Sequence, residues 1–243
     1  MIGFHLKRSS KDLVGHAILI LFPLILILFF DYLYKNIDLD TGLGMGGQSQ
    51  ITTLAIGFAL TFQIYGSALS FESLAADLYT PMHDRIFSSP VEIRSLVLSI
   101  LVSSTLVSFS QTVIILAFSA LILGATFSGL PLVLLVLLVS VIFNQLLGTV
   151  LLLRAGGVKV ANLVTTIYGS IVPMTIGLYF PLPQTAFFRI LRTYGTPMSL
   201  ANTASLAVMP GDMARSSICI LLLLALILLL FFSLRPLIRR IGI

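Results

Sequence analysis

Charge is what this sequence has least of. Only 9% of its 243 residues are Asp, Glu, Lys or Arg, while 58% are hydrophobic. A soluble domain usually carries about 25% charged residues, so a chain this apolar could not cover its own surface in water. Tryptophan is absent, and the one cysteine, Cys219, sits inside an apolar run. That rules out an intrachain disulfide and a cysteine-based metal site. His5, His16 and His83 are far apart, and no H-E-x-x-H is present, so a histidine metal centre has no sequence support. The G-x-x-x-x-G-K-[ST] loop is missing too, since Gly156-Gly157-Val158-Lys159 has the wrong spacing. This chain therefore cannot hydrolyse ATP by a P-loop mechanism. The glycine-rich stretch from Gly42 to Gly47 lacks G-x-G-x-x-G spacing and follows no strand, which rejects a dinucleotide loop. No G-x-S-x-G elbow exists for acyl transfer. Finally, no carboxylate falls in mid-span, because Asp31 and Glu72 lie at the expected helix ends. A proton-coupled carrier usually needs such a group.

What the chain does have is long apolar runs. Six segments stand out, at 14–33, 51–71, 93–123, 130–153, 160–180 and 216–234. Each reaches the roughly 20 residues that cross a bilayer core as a helix. The last is the clearest: Ile218–Phe232 contains only apolar residues, worth about 7 kcal/mol of insertion free energy. The third is longer than a crossing requires and must tilt or project. Pro23 and Pro173 are expected to kink their helices. The expected fold is all-α: one transmembrane domain over residues 1–243 with six transmembrane helices. The first segment is read as a retained span, since Val14–Phe30 exceeds a signal-peptide core and no small-x-small cleavage site follows.

The basic residues set the orientation. With the N-terminus inside, Lys7, Arg8, Lys11, Arg85, Arg94, Arg154, Lys159, Arg235, Arg239 and Arg240 face the cytoplasm, and Lys35, Arg189, Arg192 and Arg215 face out. That satisfies the positive-inside rule. An even span count returns the C-terminus to the cytoplasm as well. The net charge of +5 is spread over helix ends, which points to a membrane and not to nucleic acid. Between the fifth and sixth spans, residues 181–215 are divided by prolines and glycines into two short apolar pieces, Gln184–Tyr194 and Met198–Met209. Both are too short to cross, so two re-entrant helices dipping into the outer leaflet are expected.

The densest charge lies between the second and third spans, in the loop 72–92. Glu72, Asp77, His83, Asp84, Arg85, Glu92 and Arg94 surround Ile86 and Phe87, and Ser88, Ser89 and Pro90 precede a new helix. The expectation is a short amphipathic helix at the cytoplasmic face, with apolar knobs suited to a protein groove.

This pattern resembles the type-2 ABC transporter permeases. Glu72 matches their acidic helix end, and Ile86, Phe87, Ser88, Ser89, Pro90 and Val91 match the apolar pair, small residue and S-P that precede the third span. Six spans with short pieces before the last, and Thr196-Pro197-Met198 within them, also fit. Ala75-Ala76-Asp77 stands where many members have Gly-Thr. The resemblance implies the membrane half of an ABC exporter in the cytoplasmic membrane of a bacterium. It pairs with a second permease copy, as a homodimer, or with a related permease. A separate cytoplasmic ABC ATPase docks beneath. Glu72, Met82, His83, Asp84, Arg85, Ile86, Phe87, Ser88, Ser89 and Pro90 would form the ATPase-coupling site. No cofactor is implied on this chain; ATP and Mg would belong to the ATPase.

Polar residues within the spans give further expectations. Gln63, Gln111, Asn144 and Gln145 are assigned to inter-helix hydrogen bonds. The second and fifth spans of such permeases face the dimer axis. This makes Phe58, Phe62, Gln63 and Tyr65, as one mixed wall, and Asn144 the substrate-path candidates. Arg189 and Arg192 lie three apart on one face of the first outer piece and are candidates for an extracellular gate. With no large external domain, a hydrophobic or amphipathic substrate such as a drug or small peptide is expected. The competing readings are an ion-coupled secondary carrier and a non-transport membrane immunity or assembly factor.

Overall fold

A computed structural model describes residues 2–9, 11–37, 49–80, 88 and 92–241, with side chains as far as residue 238. The described residues form helices and short connections with no strand. In chain order the helices are α1 (Ile2–Ser9), α2 (Leu13–Ile37), α3 (Gln50–Leu78), α4 (Ile93–Leu121), α5 (Leu130–Ala155), α6 (Val158–Thr175), α7 (Ala186–Tyr194), α8 (Pro197–Val208) and α9 (Met213–Ile241). Five of them, α2, α3, α4, α5 and α9, are long and apolar enough to cross a membrane.

The helix ends follow from local chemistry. Ser49 caps α3 by accepting the Thr52 N–H at 3.3 Å. Thr196 caps α8 through the Ser199 N–H at 3.0 Å, with Pro197 in the first turn. Asp212 accepts the Arg215 N–H at 3.1 Å at the start of α9. Glycine closes α5, where Gly156 adopts φ 66° and its N–H reaches the Leu152 carbonyl.

α3 is the hub. It packs on α2, α4, α5, α6 and α8, and most of its side chains are buried. Leu54, Ile56, Phe58 and Leu60 anchor the larger core. Phe71, Leu74 and Leu78 join Leu96, Val97, Leu152, Ala161 and Leu234 in a second cluster at one end of the bundle. Arg8, Arg94, Arg154, Lys159 and Arg235 belong to that same end, which is therefore the basic one. Because Leu234 of α9 is there too, the chain enters and leaves the bundle at the basic end.

α3 and α5 approach closely at Gly148, where an added Cβ would lie 3.0 Å from Ser67 and 3.1 Å from the Phe71 ring. Gly148→Val is expected to wedge the two helices apart at a cost of about 1–3 kcal/mol. Thermal unfolding of the purified protein reads this directly, and an unchanged midpoint would show that the contact has room to give.

Three expectations need correction. The second span was expected to end at residue 71 with Glu72 at its end; instead α3 runs on to Leu78. Ser73-Leu74-Ala75-Ala76 favours helix, and Leu74, Ala75 and Leu78 bury their side chains in the basic-end cluster. Glu72 is thus inside the helix. The fifth segment, expected over 160–180, is a helix only from Val158 to Thr175 and is not among the five long apolar helices. Pro173 weakens its last turn, and Gly177, at φ 78°, turns the chain away. The last helix starts earlier and ends later than 216–234, running over Pro236.

The two short pieces before the last helix are helical, as α7 and α8. α8 is buried along nearly its whole length and packs against α3, α5, α7 and α9. α7 is strongly amphipathic and leaves Phe187, Ile190 and Tyr194 exposed.

Candidate functional site

Glu72 is exposed on α3 and accepts a hydrogen bond from Asn162 Nδ2 at 3.0 Å. It thereby ties α3 to the beginning of α6 at the basic end. Of the other coupling candidates, Ser88 is described and exposed. Met82, His83, Asp84, Arg85, Ile86, Phe87, Ser89 and Pro90 lie outside the described residues, as does the amphipathic helix expected there.

Five residues beyond Glu72, sequence reading missed a feature. Asp77 is buried, and Arg8 of α1 donates to its Oδ1 at 2.6 Å. The signal was present. Leu74, Asp77 and Leu78 fall at i, i+3, i+4 on α3, so a carboxylate shares the apolar face and must find a partner there. A second tie comes from His16. The Ser9 carbonyl can only accept, so the His16 Nε2–H donates to it at 2.8 Å. Nδ1 then accepts from the Gln111 amide of α4 at 2.9 Å. The basic N-terminal stretch is therefore a structured helix fastened to α2, α3 and α4, and Ser103 of α4 donates to the Ile2 carbonyl at 3.2 Å.

The substrate-path candidates separate into two groups. Phe58 is fully buried against the rings of Phe30 and Tyr179. Phe62 stacks edge-on with Phe22 at 5.8 Å and leans on Tyr65 at 5.7 Å. Tyr65 is half-buried and reaches Ser170 of α6 at 3.4 Å. Gln63 lies elsewhere: its amide donates to Thr112 Oγ1 at 3.1 Å and to the Leu137 carbonyl at 3.4 Å, between α4 and α5. The structure does not bring Gln63 into one wall with the three aromatics. Asn144 is buried and donates to the Ser140 carbonyl of its own helix at 3.0 Å. Gln145 reaches the Gly66 carbonyl at 3.5 Å. Of the four amides assigned to inter-helix bonds, Gln63, Gln111 and Gln145 make them, and Asn144 bonds within α5. Replacing Gln63 with leucine is expected to cost about 0.6–1.7 kcal/mol, the usual worth of such bonds between membrane helices. A fall in the thermal midpoint reads this, and no fall would mean that packing alone holds α3 to α4 and α5.

The gate candidates are also placed differently. Arg189 is exposed, while Arg192 is half-buried. Burial, and then the charge of nearby Arg215, push the Arg192 pKa below the usual arginine value. Arg215 also donates to Thr193 Oγ1 at 3.4 Å. Arginine keeps its charge at neutral pH, so the first turn of α9 and the last of α7 form a cationic corner. Among the described residues, no group of three or more His, Cys, Asp or Glu could hold a metal ion.

The arrangement as a whole is a helical membrane body with a charged, fastened end and no catalytic constellation in its sequence. No curated protein and no solved structure matches the chain. A family model described as ABC-2 type transporter matches residues 4–210, most of the chain. The protein belongs to that family: it is a multi-pass membrane protein, the transmembrane subunit of an ABC transporter.

Proposed function

We infer that this protein is the permease of an ABC exporter in the cytoplasmic membrane of a bacterium. A separate ABC ATPase drives it, and it moves a hydrophobic or amphipathic compound such as a drug or small peptide. The observation that carries this reading is the family match over residues 4–210 on a chain whose sequence holds no ATP-hydrolysing loop. In this reading ATP and Mg are bound and turned over by a partner ABC ATPase.

In this reading α6 is the sixth crossing. Its 18 residues reach about 27 Å at 1.5 Å per residue, close to a hydrocarbon core of about 30 Å. Its start packs in the basic-end cluster through Ala161. Just past its end, the Leu178 carbonyl accepts from the Tyr34 hydroxyl at 3.3 Å, level with the last turn of α2. The basic end faces the cytoplasm, by the excess of Lys and Arg there. α7 and α8 then form the re-entrant pair in the outer leaflet.

Glu72 and the segment Met82–Pro90 engage the ATPase. Phe62 and Tyr65 line the path between two permease copies, with Phe58, Gln63 and Asn144 holding their helices in place behind them. Arg189 and Arg192 sit at the outer exit. The test is reconstitution in proteoliposomes with a fluorescent amphipathic drug. Accumulation that requires both the ATPase subunit and ATP supports the reading. Flux that follows a proton or sodium gradient without ATP overturns it in favour of a secondary carrier.

A further inference from the structure

At the basic end, α1 lies against α4 with its histidine turned inward. His5 is only 6% exposed, and its Nδ1 is buried with no hydrogen-bond partner among the described residues. Beside it is a small cavity of about 20 Å³ lined by His5, Ser9, Leu69, Ser70, Ser73, Ile100, Ser103, Ser104 and Val107. A polar cavity above roughly 10–15 Å³ accommodates one water, given two or more polar partners. The partners are present. Ser70 donates to the Ser67 carbonyl at 2.8 Å and Ser104 to the Leu101 carbonyl at 3.1 Å, while Ser103 shares its one proton between the Ser99 carbonyl at 2.7 Å and, more weakly, the Ile2 carbonyl at 3.2 Å. With their protons committed, these hydroxyls have acceptance to offer. A water there can donate to serine oxygens and share its remaining capacity with His5 Nδ1.

We propose that α1 is a proton-released latch: it is seated on α3 and α4 by a neutral His5 over a one-water serine site and by the Arg8–Asp77 pair, and it lets go when His5 takes a proton. The charged groups around His5 decide the sign. α3 presents Asp77, which favours the imidazolium, but Arg8 already holds that carboxylate at 2.6 Å. Arg8, on α1 itself, and the chain's amino-terminal charge oppose a second cation. α4 contributes only Ile100, Ser103, Ser104 and Val107 to the cavity. α2 contributes His16, which is bonded to the Ser9 carbonyl. Burial outweighs Asp77, and the His5 pKa is pushed down. A histidine depressed in the seated state favours seating fully above its free value of about 6.5. Below that value the released form takes the proton first. Seating then weakens by up to about tenfold per pH unit until the seated ring also protonates. The latch is closed at neutral pH and opens on acidification. Because Asp77 lies in the last turn of α3, release also withdraws Arg8 from that turn, whose apolar side chains Leu74 and Leu78 stay packed.

The test uses the full chain in lipid nanodiscs, with spin labels at Gly3→Cys and Tyr79→Cys in a Cys219→Ala background. Tyr79 is exposed, and Gly3 is exposed with open space where a side chain would go, so labels there leave the seat intact, whereas Phe4 packs its ring edge-on against His5 at 5.5 Å. The expected result is one narrow distance at about pH 7.5 and a second, broader population that grows as pH falls below about 6.5. His5→Gln, which cannot take a proton, should hold the narrow distance throughout. Three results would overturn the proposal: an unchanged distribution down to about pH 5, a transition centred above about 6.5, or a transition that survives in His5→Gln. If His5→Gln fails to fold, His16→Gln decides, because His16 also ties α1 to its neighbours: a transition that persists in it belongs to His5, and one that disappears overturns the proposal.

Discussion

Truncating Phe87 to alanine is expected to weaken docking of the ATPase by about 30-fold or more. Large apolar side chains at the centre of a groove-bound segment act as hot spots worth at least about 2 kcal/mol. Phe87 and Ile86 are the two adjacent apolar residues in the most charged stretch of the chain, which is the composition of an anchor inside a polar rim. Transport should fall with docking, and so should stimulation of the ATPase by the permease. Reversing Asp84 and Arg85 together is expected to act on recognition, slowing association more than it speeds release. Titration of the ATPase onto the permease in nanodiscs, with ATP turnover as readout, separates these effects. Undiminished stimulation by both variants would remove the segment from the coupling role.

The second large effect is an asymmetry. Arg8→Gln is expected to cost about 2 kcal/mol, while Asp77→Asn should cost under about 1 kcal/mol. The side chain of Asp77 is 6% exposed and that of Arg8 is 38% exposed. Losing Arg8 strands a buried carboxylate, whereas losing Asp77 leaves a guanidinium that can turn to water. The Arg8 figure is set below the usual range for a buried pair because solvent screens one partner. Thermal unfolding of the two variants in the same lipid measures it. Equal losses would mean that the pair is held by its surroundings and not by desolvation of Asp77.

The same two residues show what the sequence could and could not reveal. α2, α3, α4, α5 and α9 were legible because an unbroken apolar run of bilayer length has few other uses. The two short helices before α9 were legible because Pro181, Pro183, Gly195, Pro197, Pro210 and Gly211 punctuate that stretch. α1 was not. At eight residues it is too short to be stable alone, and its helicity depends on Arg8, His5 and the Ser103 contact, all of them tertiary. The early end of α6 was half-legible: Pro173 was visible, but its effect depended on Gly177 turning the chain at φ 78°. The division of the aromatic and amide residues of α3 followed from phase. Gln63 lies one residue from Phe62 and about 100° around the helix, enough to face α4 and α5 while Phe62 faces α2. Sequence proximity had grouped residues that the helix separates.

The central claim is that a separate ATPase engages this permease at the segment following α3. Cross-linking from a cysteine at Ser88→Cys, in a Cys219→Ala background, tests it most directly in inverted membrane vesicles that hold the assembled transporter. The account predicts a cross-link to the ATPase subunit that forms efficiently and abolishes ATP-driven transport. A cysteine at Arg189→Cys, on the opposite side, should form none. Failure of position 88 to reach the ATPase in vesicles that still transport would contradict the account.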